Sequence, residues 1–269
     1  MKFTSYAAIL GSLALVSACG NDEPADGNEP EPVQVEDVAS LFPFEEGNSW
    51  VYDVTIEDQA AGEQTVDRIE ATMEIVEIND LPDGGREAIM ELRVQDPEDP
   101  ESFGEGPVER TRWIMDDGGI LQSGSDLFLN EQWSIRELTP PQPVIPWPIV
   151  DGEVISYEGV GPRPRRGVGD FSADIRVIGT QMAEVAMEME DGSTSVPALA
   201  VETRAVIPAG QATAGQEGNQ VAPTAQQAAS VVSYSYWADG IGLVRYRQVF
   251  NSENVQSTQT LELKNYSFK

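Results

Sequence analysis

The feature that most restricts what this chain can fold into is a side-chain alternation of period two that recurs along most of its length. Trp50, Tyr52, Val54 and Ile56 share one face of an extended segment, and Ile69, Ala71, Met73 and Ile75 share one face of the next. After the turn Leu81-Pro82-Asp83-Gly84-Gly85 come Ala88, Met90, Leu92 and Val94. Successive side chains of a strand point to opposite faces, so this pattern buries one face of a sheet and wets the other. Glutamate and methionine favour helix over Asp67 to Glu77, but the alternation and the glycine turn set that segment in a strand, as one arm of a meander hairpin. Val108 to Met115 resumes the pattern up to Asp116-Asp117-Gly118-Gly119, and Phe171 to Ile178, Ala183 to Met189, Ser195 to Val206, Ser230 to Trp237, Leu243 to Phe250 and Ser257 to Ser267 follow. The expected fold is all-β: a large curved antiparallel sheet or partly open barrel over 41–269, of roughly eight to eleven strands.

Thr139-Pro140-Pro141-Gln142-Pro143-Val144-Ile145-Pro146-Trp147-Pro148 breaks the alternation. Proline has no backbone donor, so the stretch reads as neither regular helix nor inner strand but as a crossover between halves 41–138 and 144–269. The segment Trp147 to Tyr157 can be laid over Phe42 to Tyr52 with aromatic, proline, acid, glycine and tyrosine coinciding. Either the two halves are similar meanders with the same proline-glycine lead-in, or a short match arose by chance. Residues 208–229, rich in alanine, glycine and glutamine and without hydrophobic periodicity, read as a flexible inserted loop.

The address of the chain is written ahead of the fold. Lys2 and the apolar run from Tyr6 to Ala18 have the form of a secretory signal peptide, too short to span a bilayer well. Val16-Ser17-Ala18-Cys19 looks like a bacterial lipobox, which implies removal of 1–18 and acylation of Cys19, palmitate being one such chain. More than one acyl chain is needed for stable anchoring. By the same resemblance, Gly20 rather than aspartate after the cysteine implies the outer membrane, on its periplasmic side or at the cell surface. Gly20 to Ser40 carries seven acidic residues and no basic one, with prolines at 24, 30 and 32; 19–40 is therefore expected to be a lipidated, disordered tether.

Charge excludes several partners. With 46 Asp+Glu against 16 Lys+Arg the formal charge is -30, which repels nucleic acid and anionic headgroups alike. The membrane is then reached through the lipid on Cys19. Lysine occurs only at 2, 264 and 269, and such acidity fits either a saline habitat or a function. Asp96-Pro97-Glu98-Asp99-Pro100-Glu101 lacks the spacing of a calcium loop and reads as a solvated turn. Arg163-Pro164-Arg165-Arg166, the basic cluster, could meet phosphate or carboxylate but reads more simply as a loop neutralised by neighbouring acids.

Three pieces together resemble bacterial lipoproteins of the DUF3108-like group: Phe42-Pro43 through Gly47-Asn48-Ser49-Trp50-Val51-Tyr52, Val196-Pro197-Ala198, and Tyr236-Trp237-Ala238-Asp239-Gly240-Ile241-Gly242-Leu243-Val244. Ala198 departs from the glycine of that pattern. The resemblance implies a large curved antiparallel sheet and carries no catalytic residue.

Catalytic chemistry has few resources here. With His 0 and Cys 1, there is no Ser-His-Asp triad, no imidazole base and no histidine-ligated zinc, and acylation occupies the one thiol. Gly159-Val160-Gly161 is followed by Pro162 and does not make a dinucleotide loop. No metal or organic cofactor is expected. The expected function is a non-enzymatic binding or assembly module for an envelope protein, lipid or glycan, with Trp50, Tyr52, Trp113 and Trp237 as candidate ligand contacts on a concave face. The same four side chains would serve equally to fill a core. The alternative is a carboxylate-dependent glycan hydrolase.

Overall fold

The computed structural model describes residues 35, 37–60, 63–96, 107–129, 132–134, 136–162, 168–185, 194–207, 229–251 and 255–269. The signal segment, Cys19, the tether through 34, the acidic loop beyond Asp96, the Arg163 to Arg166 cluster and 208–228 lie outside them. No helix among the described residues is long and apolar enough to cross a membrane.

A short helix, α1 (Val38–Leu41), precedes the strands β1 (Ser49–Ala60), β2 (Glu63–Asp80), β3 (Arg86–Gln95), β4 (Glu109–Asp116), β5 (Gly119–Leu129), β6 (Gln132–Ser134), β7 (Glu137–Pro146), β8 (Val154–Pro162), β9 (Val168–Val185), β10 (Thr194–Ile207), β11 (Ala229–Ala238), β12 (Gly242–Asn251) and β13 (Val255–Ser267). Their order is β4-β3-β2-β1-β13-β12-β11-β10-β9-β8-β7-β5, and β4 also pairs with β5. The sheet therefore closes into a 12-strand antiparallel barrel, with β6 lying along β5 beyond the reach of β7. Register shifts in the β1–β13, β2–β3, β4–β5, β9–β10 and β11–β12 ladders supply the local bends that such curvature needs.

The described residues form thirteen strands against the eight to eleven expected; β5, β6 and β7 are unexpected, and Phe171 to Ile178 and Ala183 onward are one strand, β9. The β5 segment Gln122-Ser123-Gly124-Ser125-Asp126 has no hydrophobic alternation to betray it. The proline stretch expected as a crossover is β7, inside the ring. Its prolines are accommodated by breaks in the ladder: two register shifts interrupt its pairing with β5, and it meets β8 at the single pair Thr139↔Val160.

Alternating residues fill the barrel. Trp50, Tyr52, Val54 and Ile56 of β1 are all buried, as are Ala71, Met73 and Ile75 of β2 and Leu261 and Leu263 of β13. The outer wall is charged at mid-strand. Arg93 reaches Glu74 at 3.0 Å and Glu91 at 3.1 Å, and Arg110 reaches Glu91 at 2.6 Å, a ladder across three strands. On the same side Lys264 of β13 holds Glu70 of β2 at 2.9 Å, and farther round the ring Arg204 of β10 holds Glu202 at 2.7 Å.

The end of the barrel where β1 begins is stoppered by the chain's own N-terminal segment. Asp37 caps α1, its carboxylate accepting the Ala39 N–H at 3.0 Å. Val38 and Leu41 are buried, so the fold begins before the expected start at Leu41. The Gly240 N–H donates to Ser40 O at 2.7 Å, fixing α1 on the β11–β12 turn. Phe42 then enters the lumen.

The two lead-ins that resemble each other in sequence are built alike. Gly47 and Gly152 both take positive φ, 88° and 75°, a conformation that costs glycine little. The Gly47 N–H donates to Ile75 O of β2 at 2.7 Å, and the Gly152 N–H to Val177 O of β9 at 2.9 Å. The next residues match too, Asn48 N–H to Glu45 O and Glu153 N–H to Val150 O. Tyr52 and Tyr157 each donate a hydroxyl to a carbonyl, of Leu243 and Pro140. β1 and β8 stand half a turn of the ring apart.

Candidate functional site in the barrel lumen

The lumen has an aromatic part and a polar part. In the aromatic part Phe42 is stacked on Trp50 (ring centroids 4.8 Å apart, 16° between planes) and touches Trp113 at 5.0 Å, Phe44 at 5.4 Å and Trp237 at 5.9 Å. Such ring pairs add about 0.5–1.5 kcal/mol each beyond area burial. Gly242, at φ 103°, faces this group: a Cβ there would stand 3.1 Å from Phe42 Cδ2 and 3.3 Å from Trp50 Nε1. The Trp50 Nε1–H donates to Ile241 O at 2.7 Å and the Tyr52 hydroxyl to Leu243 O at 2.9 Å. Burial pushes the Tyr52 hydroxyl far above the usual tyrosine range.

Of the four aromatics expected to meet a ligand, the structure brings Trp50, Trp113 and Trp237 together around Phe42 and sets Tyr52 below them on β1. All four are buried, none more than 2% exposed. Trp113 and Trp237 also line a cavity of about 20 Å³, together with Gln142, Thr203, Ser233, Leu243 and Tyr246. That is room for about one water molecule, whereas sites for drug-sized ligands run to about 300–1,000 Å³.

The polar part comes from inward positions that sequence reading did not single out. Glu109, Thr111 and Trp113 alternate along β4 and are buried together. Gln122 of β5, Gln142 of β7, Ser233 of β11 and Gln248 of β12 are buried as well. The Tyr246 hydroxyl donates to Gln248 Oε1 at 2.8 Å; burial raises its pKa, and a bond with Ser233 offsets part of the rise. Trp113 Nε1, Gln122 Oε1, Gln142 Oε1 and Glu109 Oε2 have no hydrogen-bond partner among the described residues.

Glu109 is the carboxyl with unusual chemistry. It is 1% exposed, and burial pushes its pKa up to about 8, with the Arg136 charge working against the rise and the Asp126 charge adding to it. Asp126 is held in turn by Arg112 at 3.2 Å and by the Arg136 N–H at 3.1 Å. A protonated carboxyl in such a place can give a proton, but Glu109 is not among the residues that line the cavity beside Trp113 and Trp237. The one sequence signal for Glu109 was its parity with Trp113. Among the described residues no three His, Cys, Asp or Glu side chains gather where a metal ion could be held.

Neither a family model nor a curated protein matches this sequence, so the resemblance to DUF3108-like lipoproteins has no family model behind it. Solved structures align with it at TM-scores below 0.5. A protein of Bacteroides fragilis described as exported, with a YmcC-like fold, is 13% identical over 84% of this chain and 98% of its own, with a TM-score of 0.44. A protein of Parabacteroides distasonis described as a lipoprotein is 15% identical over 83% of this chain and 98% of its own, with a TM-score of 0.40. The hypothetical lipoprotein YmcC of Escherichia coli is 10% identical over 80% of this chain and 86% of its own, at 0.32.

Proposed function

We propose that the chain is a lipid-anchored envelope protein, held through acylated Cys19 in the outer membrane, whose barrel is a non-enzymatic assembly module that meets another envelope protein through its outer surface. The observation that supports this reading is the packing of the aromatic part of the lumen: Phe42 occupies the space between Trp50, Trp113 and Trp237, and the cavity that Trp113 and Trp237 line measures about 20 Å³. A lumen packed in this way turns the reading to the outer surface. The stopper also follows directly on the tether in the chain, so the barrel hangs from the membrane by the segment that closes it. The anchor is tested by Cys19→Ser, which is expected to move the protein from the membrane pellet to the soluble fraction and to remove the acyl mass. A variant that still sediments with membranes contradicts it. Photo-crosslinkers placed on outward positions should capture an envelope protein and those at lumen positions should not; glycan hydrolysis by the purified protein, abolished in Glu109→Gln, would contradict the assembly reading.

A further inference from the structure

A closed barrel has no sheet edges, which is how such folds avoid unwanted strand pairing. This one leaves an exception at its rim. The β8–β9 ladder stops at Val154↔Arg176 and the β10–β11 ladder starts at Leu199↔Trp237. Between those limits Gln181–Val185 of β9 and Thr194–Ala198 of β10 pair with each other and with no other described strand. The result is a two-stranded arm that stands past the ring, its inward side tied to the core through Ala183, which is 1% exposed, and Val196.

The two edges of this arm are not equivalent. β10 carries Pro197, opposite Met182; sheets accept proline with its nitrogen turned to the outer edge, where it leaves no donor for an incoming strand. The β9 edge has no such guard, and Gln181-Met182-Ala183-Glu184-Val185 contains neither proline nor lysine. Its neighbourhood is also apolar where it meets water: Met182 is 49% exposed, and Val150 and Val154, on the turn and strand that stop short of it, are 48% and 53% exposed. That turn is fastened to β9 by the Gly152 bond to Val177 and by Asp151, whose carboxylate lies against Gly179. A strand laid along the β9 edge would continue the row that β8 leaves unfinished.

We propose that this β9 edge is a docking site to which an extended, basic segment of another protein adds as a strand. The proposal rests on the assembly reading and names its surface and the chemistry of its partner. Main-chain bonds would supply affinity and alternate side chains specificity, with apolar residues over Met182 and Val154 and cationic ones toward the exposed Asp151 and Glu153. A second copy of the chain is the wrong occupant, because two bodies of charge -30 repel each other.

The test uses full-length protein in neutral detergent micelles and a fluorescent peptide of about eight alternating valines and lysines, long enough for one strand, followed by polarisation. Binding is expected. N-methylation of alternate residues should weaken it at least about tenfold when the methyls fall on the edge that faces β9 and leave it unchanged when they fall on the other, because one edge of an added strand makes the ladder. Met182→Lys should weaken binding severalfold with an unchanged circular dichroism spectrum. Val206→Lys, an exposed apolar site at the far end of β10, should not. No binding, or equal binding of both methylated peptides, overturns the docking edge, the second result meaning charge attraction alone. A concentration-dependent dimer that Met182→Lys dissolves overturns the choice of partner. Crosslinking of an envelope protein at another face, with no peptide binding, would sink the docking edge and leave the assembly reading standing.

Discussion

The lead-ins to β1 and to β8 begin from nearly the same chemistry and end in different structures. Each turns on a positive-φ glycine bonded to the next strand, and each follows with a tyrosine whose hydroxyl reaches a carbonyl. β1 is then paired along its length on both sides, with β2 and with β13. β8 is paired along its length with β9 but at one position with β7. The difference lies in the preceding aromatic and in the neighbour. Phe42 goes into the lumen and is buried, whereas Trp147 stays partly exposed; β1 borders strands with full sets of N–H donors, whereas β8 borders a strand containing Pro140, Pro141, Pro143 and Pro146. Shared local turns thus set where a strand starts, and the neighbour decides whether the seam is sewn. At the weak seam Tyr157 substitutes a side-chain bond for missing main-chain ones, and burial pushes its hydroxyl up to about 12.

The comparison is broken most severely at Phe42. Phe42→Ala should cost about 3–5 kcal/mol, the usual penalty for an aromatic cut from a packed core, and lower the thermal midpoint by roughly 10 °C. Trp147→Ala, its counterpart by alignment, should cost less than half of that in the same thermal scan. Near-equal losses would mean that the two lead-ins do the same work.

Glu109 comes next, and its effect depends on pH. Its folded pKa is raised from 4.5 to about 8, so in that window the native state holds a proton that the unfolded chain has lost. The group's stabilising contribution is fully present below about 4.5 and declines as pH rises through the window to about 8. A tenfold difference in proton affinity between the folded and unfolded chain is worth about 1.4 kcal/mol. Glu109→Gln should therefore be more stable than the parent at pH 9 by about 2 kcal/mol or more and close to it at pH 4, measured by urea denaturation at both pH values. A variant less stable at pH 9 would contradict the burial argument.

The two tyrosines give a finer contrast. Tyr52→Phe strands the Leu243 carbonyl in the core and should cost about 1–2 kcal/mol in global unfolding. Tyr157→Phe should cost about 1 kcal/mol or less globally while loosening β8 locally, seen as increased proteolytic nicking between β7 and β8. The smallest effect belongs to the wall: Arg93→Ala, which removes ion pairs to the partly exposed Glu74 and to the buried Glu91 that Arg110 still holds, should change stability by about 0.2–1 kcal/mol, and less in high salt.

Strands whose inner face is apolar were legible from alternation alone, among them β1, β3, β11 and β12. β5 was not, because its inward Gln122 and Ser125 face a polar part of the lumen and leave no hydrophobic period. β7 was masked by its prolines, whose usual meaning is exclusion from a sheet interior; the barrel admits them by leaving the seam to β8 almost unpaired. The inward direction of Trp50, Tyr52, Trp113 and Trp237 could be read from the sequence, but their meeting around Phe42 could not, since it follows from curvature and from a residue ahead of the first strand. Closure itself depends on β1 pairing with β13 across nearly the whole chain, a contact that no local pattern specifies.

The central claim, that one barrel carries a sewn seam at β1 and an almost unsewn one between β7 and β8, is tested most directly by amide hydrogen exchange of the native protein resolved to single residues. β1 from Val51 to Glu57 should be protected throughout, close to the level set by global unfolding. In β8 from Val154 to Glu158 protection should alternate, the amides turned to β9 slow and those turned to β7 faster by orders of magnitude. Uniform protection along β8, equal to that of β1, would contradict the account.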